Sequence, residues 1–516
     1  MIETPTELIS RLNRAGVRLW VDEGRLRVRM INEPLPSEDV ALLRTLKSQV
    51  VTALLQDKGT STQTSTRSIN AAPLTYRQES LWRLMQVDQT GASRLVSQAL
   101  KLAGQVDIAA LDKSFCCIVD RHEALRTTIS HRDGIPLQNI TTHAASPLEV
   151  IHVPRVADEA EPAHQIVQGI LRSLVTTAPN PLVGPLFQAK LLVISSQESV
   201  LAVMVHHLIT DGVSINLLWN EFWQLYGGLI DGHIPDLPKV EVQSGDYAIW
   251  QRSDRFPWNQ EYWQEKTQKA SRILFPVGSS TARSRTGSGA FHPLSLTPTS
   301  SHALRELARR ENTMLGTVVL ALFAALIIHQ CRQYEFALPF QISGRPYPQH
   351  VNMMGYFAHP LIVWIRASET DSFSQLVQQV AREFLQAQRF TDCGKLLSRA
   401  PGLFTGGLFQ WFSKGDLSNS HLAADILKSG APGCFIAEEY PIALTSEDTV
   451  ELVEQDIMLC LQETSSGMDG YVLYRVDLFT RDAIQLLARD LQALCEFVTS
   501  RVHDPLSTFS RLNPKV

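Results

Sequence analysis

The sequence lacks several features that would assign a protein to a class at once. It has no Cys-x-x-Cys pair and no zinc-type Cys/His spacing, and its seven cysteines are irregularly spaced, so neither a disulfide scaffold nor a metal site is expected. The longest apolar run, residues 317–328, is too short to cross a bilayer and fits a buried core helix. No basic stretch followed by an apolar run opens the chain. A cytoplasmic protein with reduced thiols and no membrane segment is therefore expected.

A surplus of positive charge is also absent. Lysine and arginine number 47 against 52 aspartates and glutamates, which gives a net charge of −5. No global field therefore attracts nucleic acid or an acidic membrane. The 516 residues are 44% hydrophobic and 19% charged, values typical of a folded protein of several domains.

One change of composition divides the chain. Residues 57–72 are rich in Ser, Thr, Gly and Gln and contain few large apolar side chains, which predicts a flexible linker. A small domain is expected before it, over 1–56, and a large region after it. We divide the large region into an N-terminal lobe over 73–245 and a C-terminal lobe over 246–516.

The small domain reads as helix, hairpin and helix. Apolar residues recur at helical spacing in 6–15 and again after Ser37, and alternate with polar ones in 17–22 and 25–30. The hairpin carries basic residues at alternate positions, which are Arg18, Arg25, Arg27 and Arg29. These arginines suit an acidic peptide that adds as a strand, but an ordinary solvated hairpin face has the same pattern.

The large region predicts a mixed α/β structure. Strand-length apolar runs occupy 187–194, 200–205 and 361–365. Helical patterns occupy residues 108–120, 215–225, 303–311 and 373–388. Strands and helices do not alternate regularly, so a doubly wound parallel sheet is not indicated.

Two adjacent histidines follow the second of these strands. His206 and His207 point to opposite faces if the strand continues, so only one of them faces a given cavity. An imidazole there suits proton abstraction from an amine or alcohol, although a buried structural histidine or a metal ligand fits the same residues. Asp211 is placed to hold the loop, and Gly212 to permit a tight turn before the next helix.

The string from His206 to Gly212 resembles the HHxxxDG signature of the condensation domains of nonribosomal peptide synthetases, relatives of chloramphenicol acetyltransferase. Further segments resemble other motifs of that family in the same order. They are 74–82 (LTYRQESLW), 121–127 (RHEALRT), 246–250 (DYAIW), 343–346 (SGRP), 354–357 (MGYF) and 474–479 (YRVDLF). The resemblance covers residues 73 to about 506.

The resemblance implies an α/β (α+β) fold of two chloramphenicol-acetyltransferase-like lobes that form a V around a tunnel. His207 is then the general base or the group that positions the acceptor, and His206 is mainly structural. Asp211 is held by Arg345, and Arg126 is a second supporting residue. Gly212 leaves room at the reacting centre, where its N–H stabilises an oxyanion. No bound cofactor or metal is implied.

The small domain resembles the β-hairpin docking domains at the N-termini of synthetase subunits. The implied partner is an upstream acyl or peptidyl carrier protein whose acidic C-terminal tail binds the hairpin and whose phosphopantetheine arm presents the donor thioester. No adenylation or carrier domain follows before Val516, which suggests action in trans. The layout resembles free-standing condensation enzymes that release a chain onto a small-molecule amine or alcohol.

The sequence leaves other interpretations open. Elongation with a carrier-bound acceptor, epimerisation, a coenzyme A-dependent acyltransferase and a silent scaffold that recruits carriers all use related sequences, whereas heterocyclisation domains replace the histidines with aspartates. Two departures from the family pattern concern the acceptor or tunnel side. His359 occupies the usual position of an asparagine, and residues 386–397 lack the expected His-Gln-Asp.

Overall fold

The computed structural model describes most of the chain. The described residues are Leu8, Leu12, 17–22, 25–30, 37–47, 49–52, 70–87, 94–142, 144–154, 160–253, 256, 259–276, 289–390, 401–413, 435–440, 442, 455–464 and 467–511. The chain divides into two compact units, Met1–Ser68 with Arg382–Phe390 and Ile69–Ala381 with Thr391–Val516.

The smaller unit contains a two-stranded antiparallel hairpin. Strand β1 (Val17–Asp22) pairs with β2 (Arg25–Met30), and Asp22 lies opposite Arg25. Helix α1 (Ser37–Thr45) follows. Leu8, Leu12, Leu43 and Val50 are buried, as their helical spacing predicts. Apart from Leu8 and Leu12, the helix expected over 6–15 lies outside the described residues.

The predicted linker extends two residues too far. Residues 57–69 lie outside the described part of the chain, but Ala71–Pro73 form strand β3, which pairs antiparallel with 137–139. Ala72 is buried there. The small, polar composition of this stretch hides the strand, because its stability comes from a partner strand and not from its own side chains.

The larger unit is a mixed α/β structure, as predicted. Its strands after β3 are β4 (Leu95–Gly104), β5 (Thr127–Arg132), β6 (Ile135–Ile140), β7 (Leu148–His152), β8 (Phe187–Ser195), β9 (Glu198–His206), β10 (Gly289–Leu296), β11 (Glu335–Ile342), β12 (His359–Arg366), β13 (Gly407–Phe412), β14 (Phe435–Glu439), β15 (Ile457–Glu463) and β16 (Met468–Arg475). Its longer helices are α2 (Tyr76–Val87), α3 (Ile108–Arg121), α4 (Ala160–Thr176), α5 (Gly212–Ile230), α6 (Ser244–Gln251), α7 (Gln260–Lys269), α8 (Pro298–Arg310), α9 (Leu315–Cys331), α10 (Phe373–Arg389) and α11 (Arg481–Ser500).

Three sheets organise these strands. The described strands form a five-stranded sheet in the order β14-β4-β9-β8-β7, a six-stranded sheet in the order β10-β16-β15-β13-β11-β12, and a small sheet β3-β6-β5. Strand β14 lies in the predicted C-terminal lobe, yet it pairs antiparallel with β4 in the sheet of the N-terminal lobe. The boundary predicted at residue 245 therefore divides the sequence, but β14, which follows it, belongs to the sheet of the N-terminal lobe.

Helices cover both faces of the five-stranded sheet. Along β9, Leu201, Val203 and Val205 pack into a core shared with α3 and α5. The alternate residues, Ala202 and Met204, pack into a second core with α4. Because successive strand residues face opposite sides, a nearly continuous apolar run is what such a strand requires. This run places His206 at the end of a strand that is buried from Ser199 onward.

Helix α9 carries the longest apolar run and lies inside the larger unit. Residues 317–328 are all buried, and Phe323 lies 6.3 Å from Phe409 of β13, measured between ring centroids. Among the described residues, no single helix is long and apolar enough to cross a membrane; α8 and α9 meet the length and composition only as a pair bent by 109°.

Candidate functional site

His206 ends strand β9 and is completely buried. Its Nδ1 accepts a hydrogen bond from the backbone N–H of Leu208 at 3.0 Å. Burial, followed by the nearby charges of His207 and Arg94, lowers the pKa of His206 to about 3. The ring is therefore neutral at physiological pH, and solvent does not reach it.

His207 begins the short 3₁₀ turn His207–Ile209 and is partly exposed. Its backbone N–H donates to the carbonyl of Arg94 at 2.8 Å. Its ring lies 5.6 Å from the ring of Tyr356, with an angle of 50° between the planes. The guanidinium of Arg77 lies 5.0 Å from the centre of the Tyr356 ring. Of the two histidines, His207 is thus the one that a substrate can reach.

Asp211 follows this turn and caps helix α5. Its Oδ1 accepts hydrogen bonds at 2.9 Å from both the backbone N–H and the hydroxyl of Ser214. Its Oδ2 accepts from the backbone N–H groups of Phe357 and Ala358, each at 3.1 Å. Asp211 is 2% exposed. The backbone of the second lobe contacts its carboxylate directly.

Arg345 supplies the matching charge. Its two terminal nitrogens bind Asp211 Oδ2 at 2.9 Å and Oδ1 at 3.0 Å, a bidentate pair. Burial alone raises the pKa of Asp211, but the Arg345 charge and the hydrogen bonds from Arg345, Ser214 and Phe357 outweigh burial and hold this pKa below its ordinary value. The carboxylate is thus ionised and fully engaged, and it has no free oxygen for a substrate.

Arg345 is itself anchored on its own lobe. Its guanidinium also donates to the carbonyls of Ser343 at 2.9 Å and Met353 at 2.9 Å, and it lies over the Phe357 ring at 5.0 Å. Since Asp211 and Arg345 are 134 residues apart, the pair joins the two lobes beside His207.

Sequence reasoning missed Ser214. Its hydroxyl contacts Asp211, receives a hydrogen bond from Arg345 at 2.9 Å and from the N–H of Gly355 at 3.0 Å, and lies 2.9 Å from the carbonyl of Gly355. The only signal was its position three residues after the Asp211 cap, whose side chain accepts from the backbone N–H at that position. Ser214 connects Asp211 to Gly355, which lies 141 positions away in the sequence.

Gly212 does not have the conformation that was predicted. Its φ is not among the positive values in the described chain, and it is the first residue of α5 after the Asp211 cap. A Cβ there would lie 3.8 Å from the Phe412 ring, an ordinary contact. The helix cap, not a glycine turn, ends the loop, so the backbone itself does not require glycine.

Arg126 lies apart from this network. Its side chain donates to the carbonyl of Thr141 and lies 3.8 Å from Glu123. The described contacts of Arg126 include none to His207, Asp211 or Arg345. The resemblance alone implies a supporting role for Arg126, and its described side-chain contacts are with Thr141, which follows β6, and with Glu123 of its own turn.

His359, which occupies the usual position of an asparagine, is buried at the start of β12. One of its ring nitrogens, Nδ1, lies 2.8 Å from the carbonyl of Phe357. Phe357 in turn donates its N–H to Asp211. His359 is therefore connected to Asp211 through a single residue, Phe357.

For the hairpin, only the backbone is described. The register places Arg18 opposite Arg29, and Arg27 opposite Trp20. Residues opposite each other in an antiparallel pair share a face, so the backbone puts Arg18, Arg25, Arg27 and Arg29 on one face. Elsewhere, the described residues include no group of three or more His, Cys, Asp or Glu that could hold a metal ion.

Comparison with known proteins gives two family matches. The model of the Condensation domain matches residues 68–397. The model of the TubC N-terminal docking domain matches residues 6–56. The first match covers more than half of the chain and includes the site described above.

Curated relatives are much longer than this chain. A linear gramicidin synthase polypeptide of Brevibacillus parabrevis is 26% identical over 454 residues, which are 84% of this chain and 6% of that protein. Phosphinothricin tripeptide synthetase PhsC of Streptomyces viridochromogenes is 26% identical over 447 residues, 83% of this chain and 39% of that protein.

Solved structures share the fold of the larger unit. The X-domain in a complex with OxyB from teicoplanin biosynthesis has a TM-score of 0.70 at 21% identity, covering 86% of this chain and 96% of that one. The first condensation domain of the calcium-dependent antibiotic synthetase, in complex with a substrate analogue, has a TM-score of 0.63 at 16% identity, covering 85% and 98%.

Proposed function

Because the chain belongs to the condensation domain family, we propose that it is an acyltransferase that joins an acyl or peptidyl chain to an amine or hydroxyl. The donor is a thioester on the phosphopantetheine arm of a carrier protein. The nucleophilic N or O attacks the thioester carbonyl carbon, a C–N or C–O bond forms, and the C–S bond breaks. The proton lost by the nucleophile ends on the thiol that leaves.

The observation that carries this proposal is that His207 is partly exposed and stands four residues before Asp211, which is buried and paired with Arg345. In this proposal, His207 takes the proton from the nucleophile or orients it by a hydrogen bond. Asp211 acts at a distance from the substrate, because its carboxylate is engaged by Arg345, Ser214 and the 357–358 backbone. The N–H of Gly212 is the candidate donor to the oxyanion.

Intact-mass spectrometry of an acyl-loaded carrier protein tests the activity. The full chain is incubated with the loaded carrier and either a panel of free amines and alcohols or a carrier-bound acceptor, and loss of the acyl mass is followed with time. We expect His207→Ala to lower the rate at least about 100-fold, since general-base catalysis contributes about that much. His302→Ala is the control, because His302 is exposed on α8.

The outcomes separate an enzyme from a scaffold that only recruits carriers. Loss of transfer in His207→Ala with normal transfer in His302→Ala supports catalysis. Equal transfer by both variants and the wild-type protein contradicts the role of His207. If the wild-type protein transfers to none of the free or carrier-bound acceptors yet binds the carrier, the acyltransferase proposal is wrong.

We further propose that the chain acts in trans, on a carrier captured by the hairpin, and releases the acyl chain onto a free small molecule. The match of 6–56 to a docking domain supports capture, as does the common face of the four arginines. A tethered carrier reaches a high effective concentration without tight binding to the catalytic lobes. Transfer that occurs only to carrier-bound acceptors would assign elongation instead.

Fluorescence anisotropy with an acidic peptide, equivalent to the C-terminal tail of a carrier protein, tests the docking surface. We expect the double variant Arg25→Glu/Arg27→Glu to weaken binding at least about tenfold, because each carboxylate then meets a like charge. Raised salt should weaken wild-type binding in the same direction. Unchanged affinity of the double variant would contradict the proposed basic surface.

A further inference from the structure

We propose that Gln78 and His206 are positioning residues that hold the His207 turn by binding the backbone N–H and the backbone carbonyl of Leu208. This inference rests on the proposed function for the role of His207 in catalysis. We call the three residues Gln78, His206 and Leu208 the Leu208 clamp. Its two gripping side chains come from the start of α2 and the end of β9, 128 positions apart by subtraction of their numbers (206 − 78).

In a longer helix, the N–H and the carbonyl of Leu208 would pair with other backbone groups. Here two side chains provide those partners. The N–H of Leu208 donates to Nδ1 of His206 at 3.0 Å, and its carbonyl accepts from Nε2 of Gln78 at 2.8 Å. Leu208 is 0% exposed, so an unpaired polar group there is costly. Leu208 directly follows His207, and its N–H belongs to the peptide that joins the two residues, so the clamp restrains that peptide.

The Gln78 amide has a fixed orientation. Its Oε1 accepts from the backbone N–H of Thr75 at 2.9 Å, while the backbone N–H of Gln78 donates to Oγ1 of Thr75 at 3.1 Å. Its Nε2 also donates to Oε1 of Gln138 at 3.3 Å. Because the amide oxygen is engaged by Thr75, the NH₂ group must face Leu208. Gln78 is 1% exposed, which leaves it no alternative position.

The His206 side of the clamp requires one tautomer. Since Nδ1 accepts a hydrogen bond, the proton of the neutral ring lies on Nε2. Nε2 is buried without a hydrogen-bond partner among the described residues, so the bond from Leu208 to Nδ1 is what fixes the ring. A protonated ring would set Nδ1–H against the Leu208 N–H and open the clamp.

Steady-state kinetics on a matched pair of variants tests the clamp, using the acyl-loaded carrier protein and an active amine from the panel. Gln78→Met removes the bond to Leu208. Gln138→Met removes buried bonds of the same network, including one from Nε2 to the carbonyl of Pro73 at 2.8 Å, but leaves Leu208 held. We expect kcat to fall about tenfold in Gln78→Met, with KM within about twofold, because misplacement of a catalytic group reduces the chemical step.

Both variants should melt below the wild-type protein, since both lose buried hydrogen bonds, whereas kcat should fall only in Gln78→Met. Equal loss of kcat in the two variants would assign Gln78 a merely structural role. Normal kcat in Gln78→Met would overturn the proposal outright.

Conservative variants add signatures that a structural role does not produce. A buried carboxyl takes up a proton more readily than an exposed one and then donates, so the kcat of Gln78→Glu relative to wild type should rise as the pH falls from about 8 to about 5.5. At position 206, the side-chain oxygen of an asparagine would lie near the place of the histidine Nδ1. The side-chain oxygen of a glutamine would lie near the place of Nε2. His206→Asn should therefore retain kcat within about threefold, while His206→Gln loses about tenfold.

A second readout does not depend on turnover. In protein with ¹³C-labelled histidine, the ring signal of His207, assigned through His207→Ala, should shift in Gln78→Met and stay in place in Gln138→Met. If the wild-type protein proves inactive, the proposed function fails while this comparison still judges the clamp. An unshifted His207 signal in Gln78→Met would contradict it.

Discussion

Two buried arginine–aspartate clusters in the larger unit use the same chemistry for different ends. Arg345 and Asp211 are 134 residues apart, and their side chains are 3% and 2% exposed. Arg475 and Asp477 are 2 residues apart, and their side chains are 9% and 4% exposed. Both pairs are bidentate.

The difference lies in what else each carboxylate holds. Asp211 binds the backbone of Phe357 and Ala358 and the side chain of Ser214, and so fixes the lobe junction beside His207. Asp477 faces the end of its own strand, and the neighbouring Asp456 pairs with Arg272. Burial and charge pairing alone therefore do not mark a functional site. The position of the pair relative to a reachable side chain does.

The largest effect that separates the clusters is expected from Asp211→Asn. Asparagine still caps a helix, but the buried Arg345 loses its counter-charge, which costs about 3–5 kcal/mol of stability. The 357–358 backbone also loses a charged acceptor, so kcat should fall at least about tenfold. Thermal unfolding and the acyl-transfer assay measure the two effects. Wild-type values in both would show that the pair does not organise the site.

Arg475→Met should give the contrasting result. It leaves the Asp477 carboxylate buried without its arginine, with a comparable stability loss of about 3–5 kcal/mol. At temperatures where the variant remains folded, kcat should equal that of the wild-type protein, because the described side-chain bonds of Arg475 go to Asp477 and Asp456 and not to the His207 turn. A reduced kcat in the folded variant would remove the distinction between the clusters.

The smallest expected effect is a pH dependence of stability that comes from His206, next to the His207 turn. The pKa of His206 is lowered from 6.5 to about 3 by folding. Between these two pH values, the His206 ring therefore binds a proton in the unfolded chain but not in the folded chain. Stability is then fully present above pH 6.5 and declines as the pH falls toward 3, by at most about 1.4 kcal/mol per pH unit.

Melting temperatures of wild type and His206→Asn between about pH 4.5 and pH 7 measure this dependence. The variant, which lacks the titrating ring, should gain stability relative to wild type as the pH falls. Asp211 does not mask this result, because a lowered carboxyl pKa makes its stabilisation fade only at more acidic pH. A constant difference between the two proteins would contradict a neutral, buried His206.

Local patterns predicted many elements of the larger unit. The alternation and apolar runs that predict strands at 187–194 and 200–205 correspond to β8 and β9, and the helical spacing at 108–120 corresponds to α3. These signals are strong because each element buries its own apolar face. Strand β3 and the pairing of β14 with β4 escaped prediction, because in both cases the partner strand lies far away in sequence.

The candidate site divides in the same way. The signature around His207 and the spacing of Asp211 after it are properties of one short segment, and the resemblance to condensation domains supplied Arg345. The sequence did not predict the hydrogen bonds that Asp211 accepts from Ser214 and from the 357–358 backbone. It also did not predict the hydrogen bond from Gln78 to the carbonyl of Leu208. The tight turn expected at Gly212 is a helix cap in the structure. The supporting role expected of Arg126 stays a prediction, and its described contacts are with Thr141 and Glu123.

The sequence by itself determined the two-part organisation, the apolar strand that delivers His206 and His207, the helix capped by Asp211 and the family. These depend on contacts between near neighbours or on a contiguous motif. Only the tertiary structure decided that Asp211 binds the 357–358 backbone and that Gln78 holds the His207 turn. Those outcomes depend on hydrogen bonds between residues 130 or more positions apart, whose directions no local pattern specifies.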